Sequence, residues 1–127
     1  MLFAGLVVSM SCGPFHDRDA AETAVDRFHQ LFNEASYSVI YNEADPQFHR
    51  SRTVPDFGQL LLSMQRDLGA FRQARRTSVQ SDGSAVVLGY ESDFAKGKAS
   101  EQFGYTIREG KAYLISYKIS SPSLVVR

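Results

Sequence analysis

The sequence contains little of several residue types on which functional sites often depend. It has 127 residues, of which one is cysteine and none is tryptophan. One cysteine can form neither an internal disulfide nor a zinc site built from thiolates. Fourteen basic residues balance fourteen acidic residues, and a chain without net charge has no overall field that attracts nucleic acid. We therefore expect neither an internal disulfide nor a nucleic-acid partner.

Common site motifs are missing as well. The sequence has no G-x-G and hence no glycine-rich phosphate loop, and it lacks the H-E-x-x-H, C-x-x-C and G-x-S-x-G patterns. Its three histidines, His16, His29 and His49, lie in separate segments without the local spacing that metal ligands often show. The sequence therefore predicts no metal site and no other cofactor.

What the sequence does contain begins with an apolar segment, residues 1–11, without a charged side chain. As a helix its nine-residue apolar part would cover only about 14 Å, which is too short to cross a bilayer but suits the apolar part of a signal peptide. Small residues then precede Cys12, a pattern that resembles the bacterial lipobox, although Ser9 stands where a lipobox has leucine. The resemblance implies cleavage before Cys12 and lipidation of its sulfur.

This segment allows two interpretations. The alternative to an export signal is a short buried strand with an inert core cysteine. A lipoprotein is favoured because Gly13 and Pro14 interrupt regular structure directly afterwards. We expect residues 1–11 to be a truncated signal peptide, 12–18 a tether, 19–122 a single domain and 123–127 a tail. A multiply acylated Cys12 would anchor the protein at the bacterial cell envelope.

Apolar residues recur at helical spacing in the first half of the domain. The first stripe predicts a helix that starts near Ala20, with Asp17 or Asp19 as its cap. Another helix is predicted over residues 54–68, ended by Gly69. The apolar positions of the first helix are Ala21, Ala24, Val25, Phe28, Leu31, Phe32 and Ala35.

The secondary structure between these two helices is harder to predict from the sequence. Residues 37–42 include β-branched and aromatic side chains, but six residues do not distinguish a strand from a helix. Asp45 before Pro46 is a typical helix start, with the carboxylate as cap and proline as first helical residue. Capping therefore explains Asp45 without a catalytic role.

From residue 70 onward the apolar period changes to the alternation of β-strands. Turn residues at 81–83, 96–98 and Gly110 divide this region into four strands joined in series. Such a meander buries one face. The predicted fold class is α+β, with N-terminal helices packed on a four-stranded antiparallel curved sheet.

This layout, over about residues 19–120, resembles the nuclear transport factor 2-like (cystatin-like) superfamily, in particular its small bacterial secreted or lipoprotein members. The segment Leu68–Phe71 resembles the family's entry into the first strand. The resemblance implies a cone whose open end holds an apolar ligand or a partner's side chains. Enzymatic members place a carboxylate and Tyr or His inside the cone. The pattern after the first helix is carried by Tyr37, Tyr41, Pro46 and Phe48.

Aromatic side chains are the candidate ligand contacts. Tyrosines that point into the hollow of a sheet can leave hydroxyls along a cavity. Filling of the core explains the same residues, and we weigh it as the stronger interpretation. The candidates are Phe28, Phe32, Tyr90, Phe103, Tyr105 and Tyr117.

The sequence gives less support to polar side chains as site residues. His29, beside the apolar stripe, is either a general base or a boundary residue with one packed ring face, and the second is favoured. Strand alternation directs Asp93 to solvent. The basic cluster of Arg72, Arg75 and Arg76 is better explained as the charged edge of a sheet than as a nucleic-acid site.

Two functions remain open from the sequence. The favoured one is a non-catalytic binding or scaffolding module at the cell envelope, with a protein partner or a small apolar ligand. The alternative is an isomerase- or dehydratase-type enzyme with a Tyr/His/Asp set in the cone. A homodimer through the exposed face of the sheet is compatible with either.

Overall fold

The computed structural model describes residues 14–124. Cys12 and the apolar segment 1–11 lie outside these residues, and so do the last three residues of the expected tail. The elements in chain order are α1 (Pro14–Asn33), α2 (Tyr37–Glu43), α3 (Pro46–Ser51), α4 (Val54–Leu68), β1 (Phe71–Ser81), β2 (Ala85–Phe94), β3 (Gly97–Arg108) and β4 (Lys111–Ser120).

Helix α1 packs across all four strands and supplies one wall of the core. It begins at Pro14, earlier than the predicted start near Ala20. Proline suits the first helical position, where its missing N–H would have no helical partner. Residues 14–18 therefore continue the helix and do not form the expected tether. Four positions of the predicted apolar stripe are at most 4% exposed: Ala21, Val25, Phe28 and Phe32.

The other helices begin and end where local chemistry predicts. The side chain of Asp45 caps α3 by accepting a hydrogen bond from the backbone N of Gln47 at 2.8 Å. Thr53 caps α4 in the same way through the N–H of Asp56. Gly69 ends α4 with a φ of 77°, in the left-handed region that glycine adopts without strain. The undecided segment after α1 is helical, as α2.

The strands form one antiparallel sheet in the order β1-β2-β3-β4. Strand β1 is an edge strand, as predicted, and its residues 72–81 are all exposed. Register shifts interrupt its pairing with β2 after Phe71 and after Arg76, and such bulges bend a strand. Arg76 forms an ion pair with Glu22 of α1.

The core lies between the helices and one face of the sheet, called the inner face below. Asp93 lies on the opposite face, as predicted, and bonds to Gln73 and Lys98. Among the described residues, no helix combines the length and apolar character needed to span a membrane. The α+β fold class is confirmed. The inner face is formed mainly by Val86, Leu88, Tyr90, Phe94, Phe103, Tyr105, Leu114 and Tyr117.

Candidate functional site

A carboxylate lies in the middle of the core. Glu101 is 2% exposed, and each of its oxygens is hydrogen bonded. Its Oε1 lies 2.6 Å from the hydroxyl of Ser92 and 2.8 Å from Nε2 of His29. Its Oε2 accepts a hydrogen bond from the Tyr117 hydroxyl at 2.5 Å. An ionised carboxylate only accepts hydrogen bonds, so Nε2 of His29 is the donor of this contact whenever Glu101 is ionised. We call Glu101, His29, Ser92 and Tyr117 the Glu101 cluster.

Strand alternation explains why this polar group faces inward. Glu101 shares the inner face with Phe103 and Tyr105 on β3, and Ser92 shares it with its neighbours on β2. Neither residue was predicted from the sequence as a candidate, although the alternation that orients the apolar residues also orients Glu101 and Ser92. Their partner His29 comes from α1, 72 positions away from Glu101.

His29 is buried, so its interpretation as a boundary residue is wrong. It is 4% exposed. Its ring stacks on Phe71 with a centroid distance of 3.5 Å and an interplanar angle of 3°. Asn33 fixes the backbone of Phe71 with two hydrogen bonds, of 2.8 and 2.9 Å. The contact with Glu101 explains the burial, because a buried polar side chain needs a hydrogen-bond partner.

The chemistry of the Glu101 cluster is that of a closed, satisfied network. Burial, reinforced by the charge of Glu101, raises the pKa of Tyr117 well above its usual value, so that its hydroxyl stays a donor. The side chain of Glu101 is 0% exposed and that of His29 is 5% exposed. A substrate would have to displace α1 or Phe71 to reach them.

A separate groove of about 980 Å³ opens between α1, α2 and the β3–β4 hairpin. This volume lies at the upper end of the range typical of small-molecule sites. Small and aliphatic side chains leave the space open along α1. Its apolar walls include Ala20, Ala24, Phe28, Leu31, Ile40 and Leu114.

Two ion pairs border the groove. Arg27 of α1 donates to both oxygens of Glu43 at the end of α2, at 2.8 and 2.6 Å. These hydrogen bonds lower the pKa of Glu43. Arg108 pairs with Asp45, and its guanidinium carbon lies 4.1 Å from the ring centroid of Tyr113.

Comparisons with known proteins bear on the fold. No family model and no curated protein matches the sequence. A solved structure of an NTF-2 like protein of unknown function from Silicibacter pomeroyi superposes with a TM-score of 0.61 at 12% identity, over 87% of this chain and 99% of that one. The fold is nuclear transport factor 2-like. A SEC-C motif containing protein from Rhodopseudomonas palustris superposes with a TM-score of 0.52 at 13% identity, over 70% of each chain.

The likeness confirms the predicted nuclear transport factor 2-like fold, and at these identities it shows the fold alone. Within this fold the six aromatic residues predicted as ligand contacts fall into two groups, those that line the groove and those that do not. Phe28 and Tyr105 line the groove. Phe32, Tyr90, Phe103 and Tyr117 are buried and do not line it. A ligand contact by any of the six stays a prediction.

Tyr105 of β3 differs from Tyr117 of β4 in its hydrogen bonding. It is 2% exposed, and its hydroxyl has no hydrogen-bond partner within residues 14–124. Burial raises its pKa well above the usual value, so the hydroxyl stays protonated. In this nuclear transport factor 2-like domain Tyr105 is therefore a groove residue.

Metal binding has no support in the part of the chain that the structure describes. No three His, Cys, Asp or Glu side chains among those residues come together as a set of metal ligands. His16 and His49 lie apart from the Glu101 cluster: His16 lines the groove, and Nε2 of His49 lies 2.6 Å from the carbonyl oxygen of Tyr41.

Proposed function

We propose that this protein is a non-catalytic binding module that takes a small apolar ligand, or an apolar side chain of a protein partner, into the groove along α1. The observation that carries the proposal is the groove itself, with about 980 Å³ of open space against an apolar helix face. A preformed, mostly apolar concavity is the usual form of a small-molecule site.

The location of the protein is the second part of the proposal. We propose that a lipid on Cys12 anchors it at the bacterial cell envelope. Cys12 precedes the first residue of α1 by two positions, and His16 lines the groove. Four residues span at most about 14 Å even when fully extended. A lipid on Cys12 would therefore hold one end of the groove next to the membrane surface.

A dye-binding experiment tests the groove. An uncharged, polarity-sensitive dye should bind the full-length chain, and Ala24→Trp should abolish the increase in fluorescence by filling the groove. Leu62→Trp is the matched control, because Leu62 is 56% exposed on α4 and does not line the groove. Thr23→Trp, at an exposed groove position, is the second variant in case the first does not fold. Dye binding that is unchanged in folded Ala24→Trp and Thr23→Trp would contradict the proposal.

Mass spectrometry of the natively expressed protein tests the anchor. We expect a mature chain that starts at a lipidated Cys12, and a Cys12→Ser variant that leaves the membrane fraction. An intact, unmodified N-terminus with an internal Cys12 would contradict the anchor and leave the groove proposal unaffected.

Catalysis is the second candidate, and the Glu101 cluster is the observation in its favour. It brings together a carboxylate, an imidazole and a tyrosine hydroxyl, with contacts of 2.8 and 2.5 Å. Acid–base chemistry needs such groups within reach of a substrate. Binding is favoured over catalysis because none of the four residues lines the groove.

A further inference from the structure

We propose that the open edge of β1 binds an extended, acidic segment of a protein partner, which pairs with β1 as an additional strand of the sheet. This surface is separate from the groove, because no residue of β1 lines the groove. The inference therefore goes beyond the proposed function and does not depend on it.

The two edges of the sheet differ in their hydrogen bonding. At the β4 edge, the carbonyl oxygen of Leu114 accepts from the backbone N–H of Asp45 at 2.9 Å, and that of Tyr117 accepts from the guanidinium of Arg52 at 3.4 Å. The segment that contains α3 therefore covers part of this edge. Strand β1 has no such cover: residues 72–81 are exposed, and in the described part of the chain their backbone pairs with β2 alone.

The first residue of β1 shows what a neighbouring strand would supply. The side chain of Asn33 accepts a hydrogen bond from the N–H of Phe71 at 2.8 Å and donates one to the carbonyl oxygen of Phe71 at 2.9 Å. A residue of an antiparallel neighbour offers the same acceptor and donor. Beyond Phe71 the edge continues over residues 72–81, about 33 Å, and its outward N–H and C=O groups are available to a further strand.

Bulges limit where a partner segment can pair. Register shifts after Phe71 and after Arg76 bend β1. They leave two regularly paired stretches, residues 73–76 and 78–81. We expect the partner segment to pair along residues 73–76, because the arginines of β1 lie in and beside this stretch.

The charges of β1 favour an acidic segment. Residues 71–81 contain three arginines and no carboxylate. Arg76 is neutralised by Glu22 of α1. Arg72 and Arg75 form no ion pair with any residue that the structure describes. Carboxylates on an added strand would supply their partners, since opposite charges on adjacent strands attract.

The carboxylates of β2 do not cancel this preference. Glu91 lies across from Arg75, but its Oε2 accepts a hydrogen bond from Ser100 of β3 at 2.7 Å. Asp93 forms an ion pair with Lys98, also of β3. A strand added at the edge would lie two strand spacings from β2, about 10 Å, which is close to the Debye length at physiological ionic strength. The arginines of β1 are therefore the charges nearest to the added strand.

A second copy of the chain fits this edge less well than an acidic segment. Pairing of β1 with β1 of another copy would bring two sets of three arginines together, and like charges on adjacent strands repel. Charged edges of this kind discourage association between identical sheets. The same arginines therefore oppose self-association and select an acidic partner.

Fluorescence anisotropy with the full-length chain tests the charge preference. The labelled probes are short peptides of equal length in which threonine alternates with glutamate, glutamine or lysine. We expect the glutamate peptide to bind about tenfold more tightly than the glutamine peptide, through two favourable cross-strand charge pairs, and the lysine peptide to bind most weakly. Equal binding of the three peptides would contradict an acidic partner.

Charge reversal supplies the residue-level test. Arg72→Glu combined with Arg75→Glu should make the lysine peptide bind more tightly than the glutamate peptide, and both positions are exposed, so the variant should fold. Lys118→Glu is the matched control, at an exposed position of the opposite edge strand, and should leave the preference unchanged. An unchanged preference in the double variant would overturn the proposal. Displacement of the glutamate peptide by an equal concentration of oligothymidylate would overturn it as well and assign the arginines to nucleic acid.

Amide hydrogen exchange followed by NMR distinguishes strand pairing from a purely electrostatic contact. The amides of β1 that face the open edge should exchange rapidly in the free chain and slowly with saturating glutamate peptide, while the amides of β4 should not change. Peptide binding without new protection in β1 would contradict the added strand. Protection of these amides in a dimer of the free chain would show that a second copy occupies the edge and would also overturn the proposal.

Discussion

Oε1 of Glu101 lies 2.8 Å from Nε2 of His29, and the two side chains are 0% and 5% exposed. A buried carboxylate is costly unless hydrogen bonds replace its lost hydration. Glu101 has three such bonds, from His29, Ser92 and Tyr117. The contact therefore joins α1 to the centre of the sheet through a polar group whose members are all buried.

Removal of the carboxylate should destabilise the fold strongly. Glu101→Leu leaves three buried donors without an acceptor, and we expect the free energy of unfolding to fall by about 3–5 kcal/mol. Glu101→Gln retains one accepting oxygen and should cost less, about 1–3 kcal/mol. Urea denaturation measures both. Glu91→Leu, on the exposed face of β2, is the control and should stay within about 0.5 kcal/mol. A similar cost at both positions would show that the network contributes little.

The contribution of the Tyr117 hydroxyl to stability can be tested by removing its oxygen. Tyr117→Phe deletes the hydroxyl that donates to Oε2 of Glu101 at 2.5 Å. A hydrogen bond to a charged group contributes about 1.5–3 kcal/mol, and we expect a loss of this size in urea denaturation. Tyr113→Phe is the control, because the hydroxyl of Tyr113 has no hydrogen-bond partner within residues 14–124. Equal stabilities of the two variants would contradict the assigned bond.

The parts of the fold that the sequence predicted depend on local chemistry. Asp45 and Pro46 start a helix through neighbouring atoms, and Gly69 ends one through its own φ. Alternation in β2 and β3 identified the buried face because it depends only on neighbouring residues. In β4 strict alternation was wrong, since a register shift opposite Gly104 and Tyr105 buries Leu114 together with Tyr117. The start of α1 was wrong because Pro14 interrupts a helix in its middle but suits the first turn.

The candidate site depends on distant pairs, and this is why the sequence predicted less of it. Alternation could have placed Glu101 in the core, but nothing near it in the chain indicates His29 as its partner. The groove likewise requires the position of α1 relative to the β3–β4 hairpin, which brings Ala24 and Lys111 to one concavity. Such placement follows from packing and not from residue spacing.

The cap of α3 should make stability depend on pH. The hydrogen bond from the N–H of Gln47, together with Arg108, holds the pKa of Asp45 below its usual value. A carboxyl with a depressed folded-state pKa stabilises fully above its ordinary pKa of about 4, and this stabilisation is lost as the pH falls through the folded-state value.

Asp45→Asn is the variant that isolates this effect. Asparagine also caps helices but carries no charge for Arg108. In urea denaturation the wild type should exceed Asp45→Asn by about 1 kcal/mol at pH 7, and the difference should shrink toward pH 3. Asp56→Asn, at an exposed position of α4, controls for general charge effects. A difference that is constant from pH 7 to pH 3 would argue against an ionised cap.

Chemical modification distinguishes a sealed His29 from a reachable one, and with it binding from catalysis. Diethyl pyrocarbonate modifies accessible imidazoles, so we expect peptide mass mapping of the folded protein to find His16 modified and His29 protected. Phe71→Ala removes the ring that stacks on His29 at 3.5 Å and should make His29 reactive while urea denaturation still reports a folded protein. Leu62→Ala, at an exposed apolar position remote from His29, should leave it protected. Modification of His29 in the wild type at the rate of His16 would mean that solvent reaches the Glu101 cluster, and the catalytic candidate would then be favoured over the binding module.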